Sequence, residues 1–254
     1  MDLELNGKVI VVTGGTDGLG AALADVLVEE GAHVAVCGRN PERVASMATR
    51  LGDSGHAVVA DVTVPDDLDD LVATTIERWG RIDGLVNNAG QSSSMRVEDA
   101  DDEVWTRDLD LKVLPAVGLI RRCLPHLRAV GGGAIVNVLN TAAKAPPARS
   151  LPTSATRAAG LAISKALSKE LGPDGIRVNA VLVGLVESGQ WRRRAESADR
   201  PVEDLYVDMA DGIPLGRVGR AREFGDLVAY LLSARASYVT GSAVNLDGGS
   251  SPAS

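Results

Sequence analysis

Short apolar runs alternate along the chain with longer stretches in which apolar residues recur at helical spacing. The apolar runs predict β-strands at 8–13, 33–37, 56–60, 84–87, 134–139, 177–183 and 243–246. The helical patterns cover roughly 18–30, 41–51, 65–79, 102–129, 152–171 and 221–233. Runs this rich in Val and Ile are typical of parallel strands that helices cover on both faces. The alternation therefore predicts a single α/β domain over residues 1–254, a Rossmann-type, doubly wound parallel sheet of about seven strands.

The segment 187–213 interrupts this alternation. It is polar and weakly periodic, it contains Pro201, and it follows the carboxyl end of a predicted strand. Long insertions at such places often cover a binding site, because the loops at the carboxyl ends of parallel strands surround the ligand. We expect a substrate lid at about 187–213, with a solvated surface loop as the alternative.

Composition narrows the class of protein. The chain has 254 residues, of which 45% are hydrophobic and 24% charged, as in ordinary globular proteins. Its net charge of −8 argues against nucleic-acid partners and anionic membrane surfaces. No apolar run approaches the length of a membrane span, and the first residues lack the basic charge of a signal peptide, so we expect a cytoplasmic protein. Two cysteines, Cys37 and Cys123, are too few for a metal cluster, and no metal is expected.

A glycine-rich segment follows the first predicted strand and opens the first predicted helix. Gly14, Gly18 and Gly20 have the spacing GxxxGxG. Such a turn lets a pyrophosphate approach the backbone and the helix N-terminus, where unpaired N–H groups and the helix dipole favour negative charge. The position between strand and helix therefore predicts a dinucleotide-binding loop.

The end of the second predicted strand indicates which dinucleotide is bound. NAD-binding proteins carry an Asp or Glu there, which binds the ribose 2′-hydroxyl. This strand ends without a carboxylate and is followed by Arg39, whose guanidinium suits a 2′-phosphate. NADP(H) is therefore favoured over NAD(H), although Arg39 is also an ordinary residue for the start of a helix.

Further motifs follow the later strands in order: Asp61-Val62, Asn87-Asn88-Ala89-Gly90, IVNV at 135–138, GIRVNA at 175–180 and Asp247-Gly248-Gly249. Together with TGGTDGLG at 13–20 they resemble the short-chain dehydrogenase/reductase family, especially its ketoacyl-reductase-like members, over essentially the whole chain. The resemblance implies an NAD(P)-binding fold. It also implies a set of cofactor-binding residues: Gly14, Thr16, Asp17, Gly18, Leu19, Arg39, Asp61, Val62, Asn88, Ala89, Gly90, Arg157, Gly184, Val186 and Ser188.

The catalytic positions differ from the family pattern of Ser, Tyr, Lys and a helper Asn. Matching the motifs places Asn140 at the serine, Thr153 at the tyrosine, Arg157 at the lysine and Asp110 at the asparagine position. No Tyr-x-x-x-Lys occurs anywhere in the sequence. A threonine hydroxyl is a far weaker acid than a phenol, and arginine keeps its proton. Proton transfer as the family performs it is therefore not expected.

Substitutes for the missing groups can be named. We expect Asp110 and Arg157 to form an ion pair between facing helices. Tyr206, inside the predicted lid, is a candidate for the missing acid, and Lys144 follows Asn140 closely enough to lie near the mouth of the site. The run Arg192–Arg194 would suit an anionic substrate, although such runs are usually solvated.

Three functions remain open. The first is an atypical NADP-dependent ketoreductase that takes its proton from water, from the substrate or from a substitute residue. The second is a non-redox lyase, isomerase or cyclase on the same scaffold, for which the cofactor has no role in function. The third is a catalytically silent binding or assembly protein.

The partner is a small molecule in the first two cases, with polyketide-like or carrier-linked carbonyl compounds of secondary metabolism as candidates. The resemblance further implies a homotetramer or homodimer formed through the helices at 102–129 and 152–171.

Overall fold

The computed structural model describes residues 2–253, and within this range the chain alternates strand and helix much as the pattern predicts. The strands are β1 (Val9–Thr13), β2 (His33–Gly38), β3 (Gly55–Val59), β4 (Gly84–Asn87), β5 (Ser94–Met95), β6 (Gly133–Asn140), β7 (Leu151–Pro152), β8 (Ile176–Val183) and β9 (Ala243–Leu246).

The helices connect the strands and cover both faces of the sheet. They are α1 (Gly18–Glu29), α2 (Pro41–Leu51), α3 (Pro65–Trp79), α4 (Asp102–Lys112), α5 (Leu114–Ala129), α6 (Thr153–Glu170), α7 (Gly189–Ser197), α8 (Val202–Ala210) and α9 (Ala221–Leu232). Within residues 2–253, no helix combines the length and the apolar character that crossing a bilayer requires.

Seven strands form one parallel sheet in the order β3-β2-β1-β4-β6-β8-β9. The chain moves outward from β1 in one direction and then returns to add β4 on the other side, so the order reverses between β1 and β4. Ligands of open α/β sheets bind beside such a reversal, at the carboxyl ends of the strands. The predicted doubly wound, Rossmann-type fold is confirmed, and its reversal point lies next to the glycine-rich segment.

Apolar side chains fill the space on both sides of the sheet. On one side Leu23 of α1 packs with Phe224 and Val228 of α9, and on the other Leu71 of α3 packs with Leu119 of α5. All five are fully buried. Because helices cover both faces, the central strands carry apolar residues at consecutive positions, which explains the continuous Val-rich and Ile-rich runs.

Three features differ from the prediction. The helical pattern at 102–129 is two helices, α4 and α5, because Pro115 lacks an N–H group and its ring clashes with the carbonyl four residues earlier. The polar segment 187–213 contains two short helices, α7 and α8. A small antiparallel pair of β5 and β7 was not predicted, since two-residue strands are too short to show a periodic pattern.

Candidate functional site

The glycine-rich turn packs too tightly for side chains at key positions. Gly14 and Gly18 have φ angles of 64° and 54°, in the left-handed region that favours glycine. A Cβ atom on Gly20 would lie only 2.3 Å from the carbonyl oxygen of Gly14. The turn therefore brings the first turn of α1 directly over the end of β1. The Gly18 N–H donates to the Asp17 carboxylate at 2.8 Å, and the next N–H groups of the helix N-terminus are left for a ligand.

Hydrogen bonds fasten this turn to the end of β4. The Asn88 amide nitrogen Nδ2 donates to the carbonyl oxygens of Thr13, at 2.9 Å, and Gly14, at 3.1 Å. In return, Thr13 Oγ1 accepts from the backbone N–H groups of Asn88 and Ala89, both at 3.0 Å. The glycine loop and the segment that follows β4 thus form one rigid unit at the reversal point of the sheet.

Asp17, the N-cap residue of α1, binds three arginines at the rim of this loop. Its carboxylate accepts from Arg43 at 3.1 Å, Arg192 at 2.8 Å and Arg193 at 2.7 Å. Burial raises the pKa of Asp17, but hydrogen bonds from Arg193 and from the Gly18 backbone outweigh burial, and the net shift is downward. The arginine run is therefore not a free solvated surface. Two of its members connect α7 to the loop.

Arg39 and Asp61 meet where β2 and β3 end, with 3.7 Å between guanidinium nitrogen and carboxylate oxygen. Asp61 also accepts from the backbone N–H of Thr63 at 2.9 Å and from its hydroxyl at 2.8 Å. Although burial raises the pKa of Asp61, these bonds and Arg39 lower it overall. The end of β2 touches the glycine loop, because a Cβ on Gly38 would lie 2.4 Å from Thr16 Oγ1. Arg39 is therefore held at the rim of the loop.

The segment 184–188 reaches the same loop from the end of β8. Val186 is buried and pairs with Gly219. A Cβ on Gly18 would lie 3.6 Å from the Cβ of Ser188, the N-cap residue of α7. A Cβ on Gly184 would meet Asp247 at 2.6 Å. Of the predicted cofactor residues in this segment, Ser188 thus lies against the turn, whereas Gly184 and Val186 contact Asp247 and Gly219. Leu19 is partly buried at the start of α1, and Val62 is buried just after β3.

Three of the predicted catalytic positions lie at the end of β6 and in the first turns of α6. Asn140 ends β6, Thr153 begins α6, and Arg157 lies one turn further along α6. Arg157 Nη1 donates to the carbonyl oxygen of Val138 at 2.8 Å, and a Cβ on Gly90 would lie 2.5 Å from its Nη2. Within residues 2–253, Arg157 Nε and Asn140 Oδ1 are buried and have no hydrogen-bond partner. Such orphaned polar atoms are rare in protein interiors. Among the described residues, His33 Nδ1 in β2 and His56 Nε2 in β3 are also buried without a partner.

The expected ion pair between Asp110 and Arg157 is wrong. Asp110 lies on a partly exposed side of α4, whereas Asp108 and Lys112 are buried and face α6. Two residues along a helix correspond to a rotation of about 200°, so Asp110 and Asp108 point in nearly opposite directions. Lys112, two residues further along α4, is the side chain that reaches Thr153 on α6.

Lys112 and Asp108 form a fully buried ion pair with exposed side-chain fractions of 1% and 0%. Lys112 Nζ also donates to Thr153 Oγ1 at 3.0 Å, and Asp108 Oδ2 accepts from the Thr156 hydroxyl at 2.7 Å. Burial lowers the pKa of Lys112 to about 8, with Arg157 adding to the shift and Asp108 opposing it. The sequence carried one signal for this cluster, an Asp–Lys pair at i and i+4 on α4.

Two further candidates have different surroundings. Tyr206 of α8 is half-buried, and its pKa is raised by burial and by Glu187. Its phenol is near the backbone of Ser188, on the α7 side of the site. Lys144 Nζ donates to the carbonyl oxygen of Ala243 at 3.0 Å and to Asn245 at 3.1 Å. Lys144 therefore holds β9 in place and is not free at the mouth of the site.

Known proteins share this architecture. A family model described as Enoyl-(Acyl carrier protein) reductase matches residues 14–251. The chain belongs to the short-chain dehydrogenase/reductase family. Among relatives of this family, a putative ketoacyl reductase of the granaticin polyketide synthase from Streptomyces violaceoruber is 34% identical over 251 residues, which cover 95% of this chain and 92% of that protein.

Two solved structures of short-chain dehydrogenases/reductases are also similar. L-sorbose reductase from Gluconobacter frateurii, in complex with NADPH and L-sorbose, superposes with a TM-score of 0.94, 33% identity and 100% coverage of both chains. An NADPH-bound short-chain oxidoreductase from Pseudomonas aeruginosa PAO1, containing an atypical catalytic center, gives a TM-score of 0.91 and 35% identity, covering 97% of this chain and 98% of that chain.

The residues of this chain fit the nicotinamide dinucleotide that the family uses. The glycine turn has no room for side chains where a pyrophosphate must approach, and the N-terminus of α1 points toward that space. Asn140 ends β6 at the carboxyl edge of the sheet, and the Arg157 guanidinium packs against Gly90, one of the predicted cofactor residues. This agreement comes from two separate parts of the site.

We predict that Gly20→Ala weakens NADPH binding at least tenfold. The added methyl group would lie 2.3 Å from the Gly14 carbonyl, so the turn must open even though alanine favours helix. Gly172→Ala is the matched control, because nothing lies within 4 Å of its Cβ position. Calorimetric titration with NADPH measures both variants, and unchanged affinity in a folded Gly20→Ala protein would contradict the role of the turn.

Proposed function

We propose that the protein is an atypical NADP-dependent ketoreductase that reduces the carbonyl group of a small molecule without the family's Ser, Tyr and Lys. The observation that carries this proposal is the dinucleotide loop with every close contact in place, joined by Asn88 to the segment after β4 against which the Arg157 guanidinium packs. The buried and unpartnered atoms Asn140 Oδ1 and Arg157 Nε add support, because a bound ligand would give them partners.

In this proposal Arg157 binds the cofactor and Asn140 binds the substrate. When bound, the reduced nicotinamide supplies the hydride. Arg157, fixed to the Val138 carbonyl through Nη1, has its remaining N–H groups for the hydroxyls of the nicotinamide ribose. The Asn140 amide can donate to the carbonyl oxygen of the substrate, where negative charge develops. Positioning of the two reactants contributes to the rate independently of any proton donor.

The preference for NADP(H) rests on Arg39. Its side chain is 69% exposed, and its ion pair with Asp61 is long, at 3.7 Å, so the guanidinium can turn toward a 2′-phosphate. The L-sorbose reductase and the P. aeruginosa oxidoreductase were both solved with NADPH, which supports the same preference here.

The substrate class follows from relatives and from the site. The granaticin ketoacyl reductase supports a polyketide-like or carrier-linked carbonyl of secondary metabolism, and the sorbose reductase supports a polyhydroxy ketone. We further propose that residues 187–213, with α7 and α8, form the lid. The bonds from Arg192 and Arg193 to Asp17 would hold it against the cofactor loop.

Cofactor titration followed by ketone turnover tests the proposed function. We expect NADPH to bind more tightly than NADH in calorimetry. We then expect NADPH to be oxidised with at least one member of a panel that includes L-sorbose and a β-ketoacyl thioester. Turnover of substrate without nicotinamide oxidation would favour the lyase, isomerase or cyclase hypothesis. Absence of binding by either dinucleotide would favour the silent binding protein.

We predict that Arg39→Ala weakens NADPH binding by roughly 10- to 100-fold and leaves NADH binding unchanged, because it removes a charge-assisted bond to the 2′-phosphate alone. Arg107→Ala, a similarly exposed arginine on α4, serves as the control. Calorimetry with both dinucleotides measures the difference. An equal loss for NADH would show that Arg39 serves the loop rather than the phosphate.

We also propose a homotetramer, or a homodimer, formed through α5 and α6. Ala158 and Ala162 form an exposed face of small residues on α6, and Leu114 at the start of α5 is 61% exposed. Ala162→Arg should reduce the molar mass measured by light scattering, because a long charged side chain prevents close helix packing. A monomeric wild-type protein would contradict the proposal.

A further inference from the structure

The buried ion pair of Lys112 and Asp108 has no role in the function derived so far. Both side chains are almost completely shielded from solvent. Removing two charges from water is costly, and apolar residues of similar size often serve packing at least as well. The pair also reaches beyond α4, because Lys112 Nζ contacts the hydroxyl of Thr153 on α6. Its position suggests chemistry rather than packing.

The hydroxyl of Thr153 accepts two hydrogen bonds, and its own proton is not donated to any described residue. Its oxygen accepts from Lys112 Nζ at 3.0 Å and from the Ser93 backbone N–H at 2.8 Å, which occupies both lone pairs. Among the residues that the structure describes, none accepts the proton of this hydroxyl. Thr153 is buried, at 2% exposure, and its hydroxyl is left as a hydrogen-bond donor without an acceptor among the described residues, with the Lys112 ammonium group on its other side.

We propose that Lys112 is the proton reserve for carbonyl reduction and that it acts through the hydroxyl of Thr153. This inference rests on the proposed function. Thr153 is the catalytic residue in this scheme because it touches the substrate oxygen. Lys112 and Asp108 act through Thr153: Lys112 supplies the proton that replaces the one Thr153 donates, and Asp108 holds Lys112 in place.

The step balances as follows. The carbonyl carbon gains a hydride from the reduced nicotinamide, and the π electrons of the C=O bond move to the oxygen. This oxygen takes the proton of the Thr153 hydroxyl while an N–H bond of Lys112 breaks and its proton moves to Thr153 Oγ1. Because both transfers are coupled, threonine never becomes a free alkoxide. The products are the alcohol, the oxidised nicotinamide and a neutral Lys112 amine, which regains a proton from water.

The surroundings of Lys112 suit this task. Burial lowers its pKa to about 8, close to neutral pH, where a general acid is most effective. The charged groups that face it are Asp108 on its own helix and Arg157 on α6. A cavity of about 30 Å³ lies against Lys112 and Arg157, lined also by Asn87 and Asn137, which carry no charge. It is large enough for one water molecule, which offers a path for the returning proton.

The first test needs neither cofactor nor substrate. The chain has five lysines, so NMR of protein labelled at lysine Cε gives a spectrum simple enough to assign: Lys8, Lys112, Lys144, Lys165 and Lys169. The resonance that disappears in Lys112→Met should titrate with a midpoint near pH 8. A midpoint above pH 10 would overturn the proposal, because such an ammonium releases its proton too reluctantly.

The second test measures ketone reduction in variants. Thr153→Val and Lys112→Met should each lower kcat at least 100-fold, the scale of lost general-acid help, while KM and NADPH affinity stay within threefold. Thr153→Ser should restore most of kcat, since it keeps the hydroxyl. Arg107→Met, on the exposed side of α4, is the control and should match the wild type.

The pH profile distinguishes proton supply from structural support. The reaction needs the protonated lysine, so wild-type kcat should fall about tenfold per pH unit above pH 8. This decline should disappear from the residual activity of Thr153→Val. Lys112→Met leaves the Asp108 carboxylate buried without a counter-ion and can therefore unfold the protein. If the single variant does not fold, the double variant Asp108→Asn/Lys112→Met is measured in its place.

The outcomes separate the two proposals. Wild-type kcat in Thr153→Val or in the double variant would overturn the proton reserve while leaving the reductase intact. A large loss in Tyr206→Phe combined with wild-type rates in Thr153→Val would assign the proton to the lid tyrosine instead. Absence of nicotinamide oxidation by the wild type with every ketone would overturn the proposed function, and the proton reserve with it.

Discussion

The close approach of α1 to the end of β1 is the constraint on which the rest of the site depends. Gly20 lies against the carbonyl of Gly14, and Asn88 bonds the same carbonyl from the end of β4. One turn without side chains thus sets the distance between the helix N-terminus and the reversal point of the sheet. Because parallel strands end at a common edge, the ends of β4, β6 and β8 are then fixed relative to that turn.

Charge is distributed in two layers around this edge. At the rim, Arg39, Arg192 and Arg193 are partly exposed and form ion pairs with carboxylates, and exposed pairs of this kind contribute little to stability. Further in, Lys112 is buried in an ion pair with Asp108, and the buried guanidinium of Arg157 has no carboxylate partner of its own among the described residues. Two buried cations and one anion leave an excess of positive charge, which favours negative charge on a bound group in a low-dielectric site. Burial lowers the pKa of Arg157 to about 10, and the charge of Asp108 opposes this shift.

Local pattern was sufficient for the fold and for the cofactor half of the site. The Val-rich runs gave the seven strands of the sheet, and the glycine spacing gave the loop, because both depend on neighbours in sequence. The bonds from Arg192 and Arg193 to Asp17 join residues 175 and 176 positions apart, and no periodic pattern encodes them. The error at Asp110 has a different origin. A motif match fixes a residue's position along a helix only to within a residue or two, whereas a shift of two residues reverses the direction of the side chain.

The residues at the replaced catalytic positions depend on one another and on their neighbours on α4. Threonine at 153 is several bonds shorter than tyrosine, so a group that is to protonate a substrate through it must come from another element. Lys112 has the length to do so from α4, and its Nζ contacts Thr153 Oγ1. A lysine there would be poorly tolerated without a counter-ion, and Asp108, held by the Thr156 hydroxyl, provides one. The hydroxyl, the ammonium and the carboxylate therefore depend on one another. The absence of Tyr and Lys from their family positions is for that reason no argument against proton transfer in this chain.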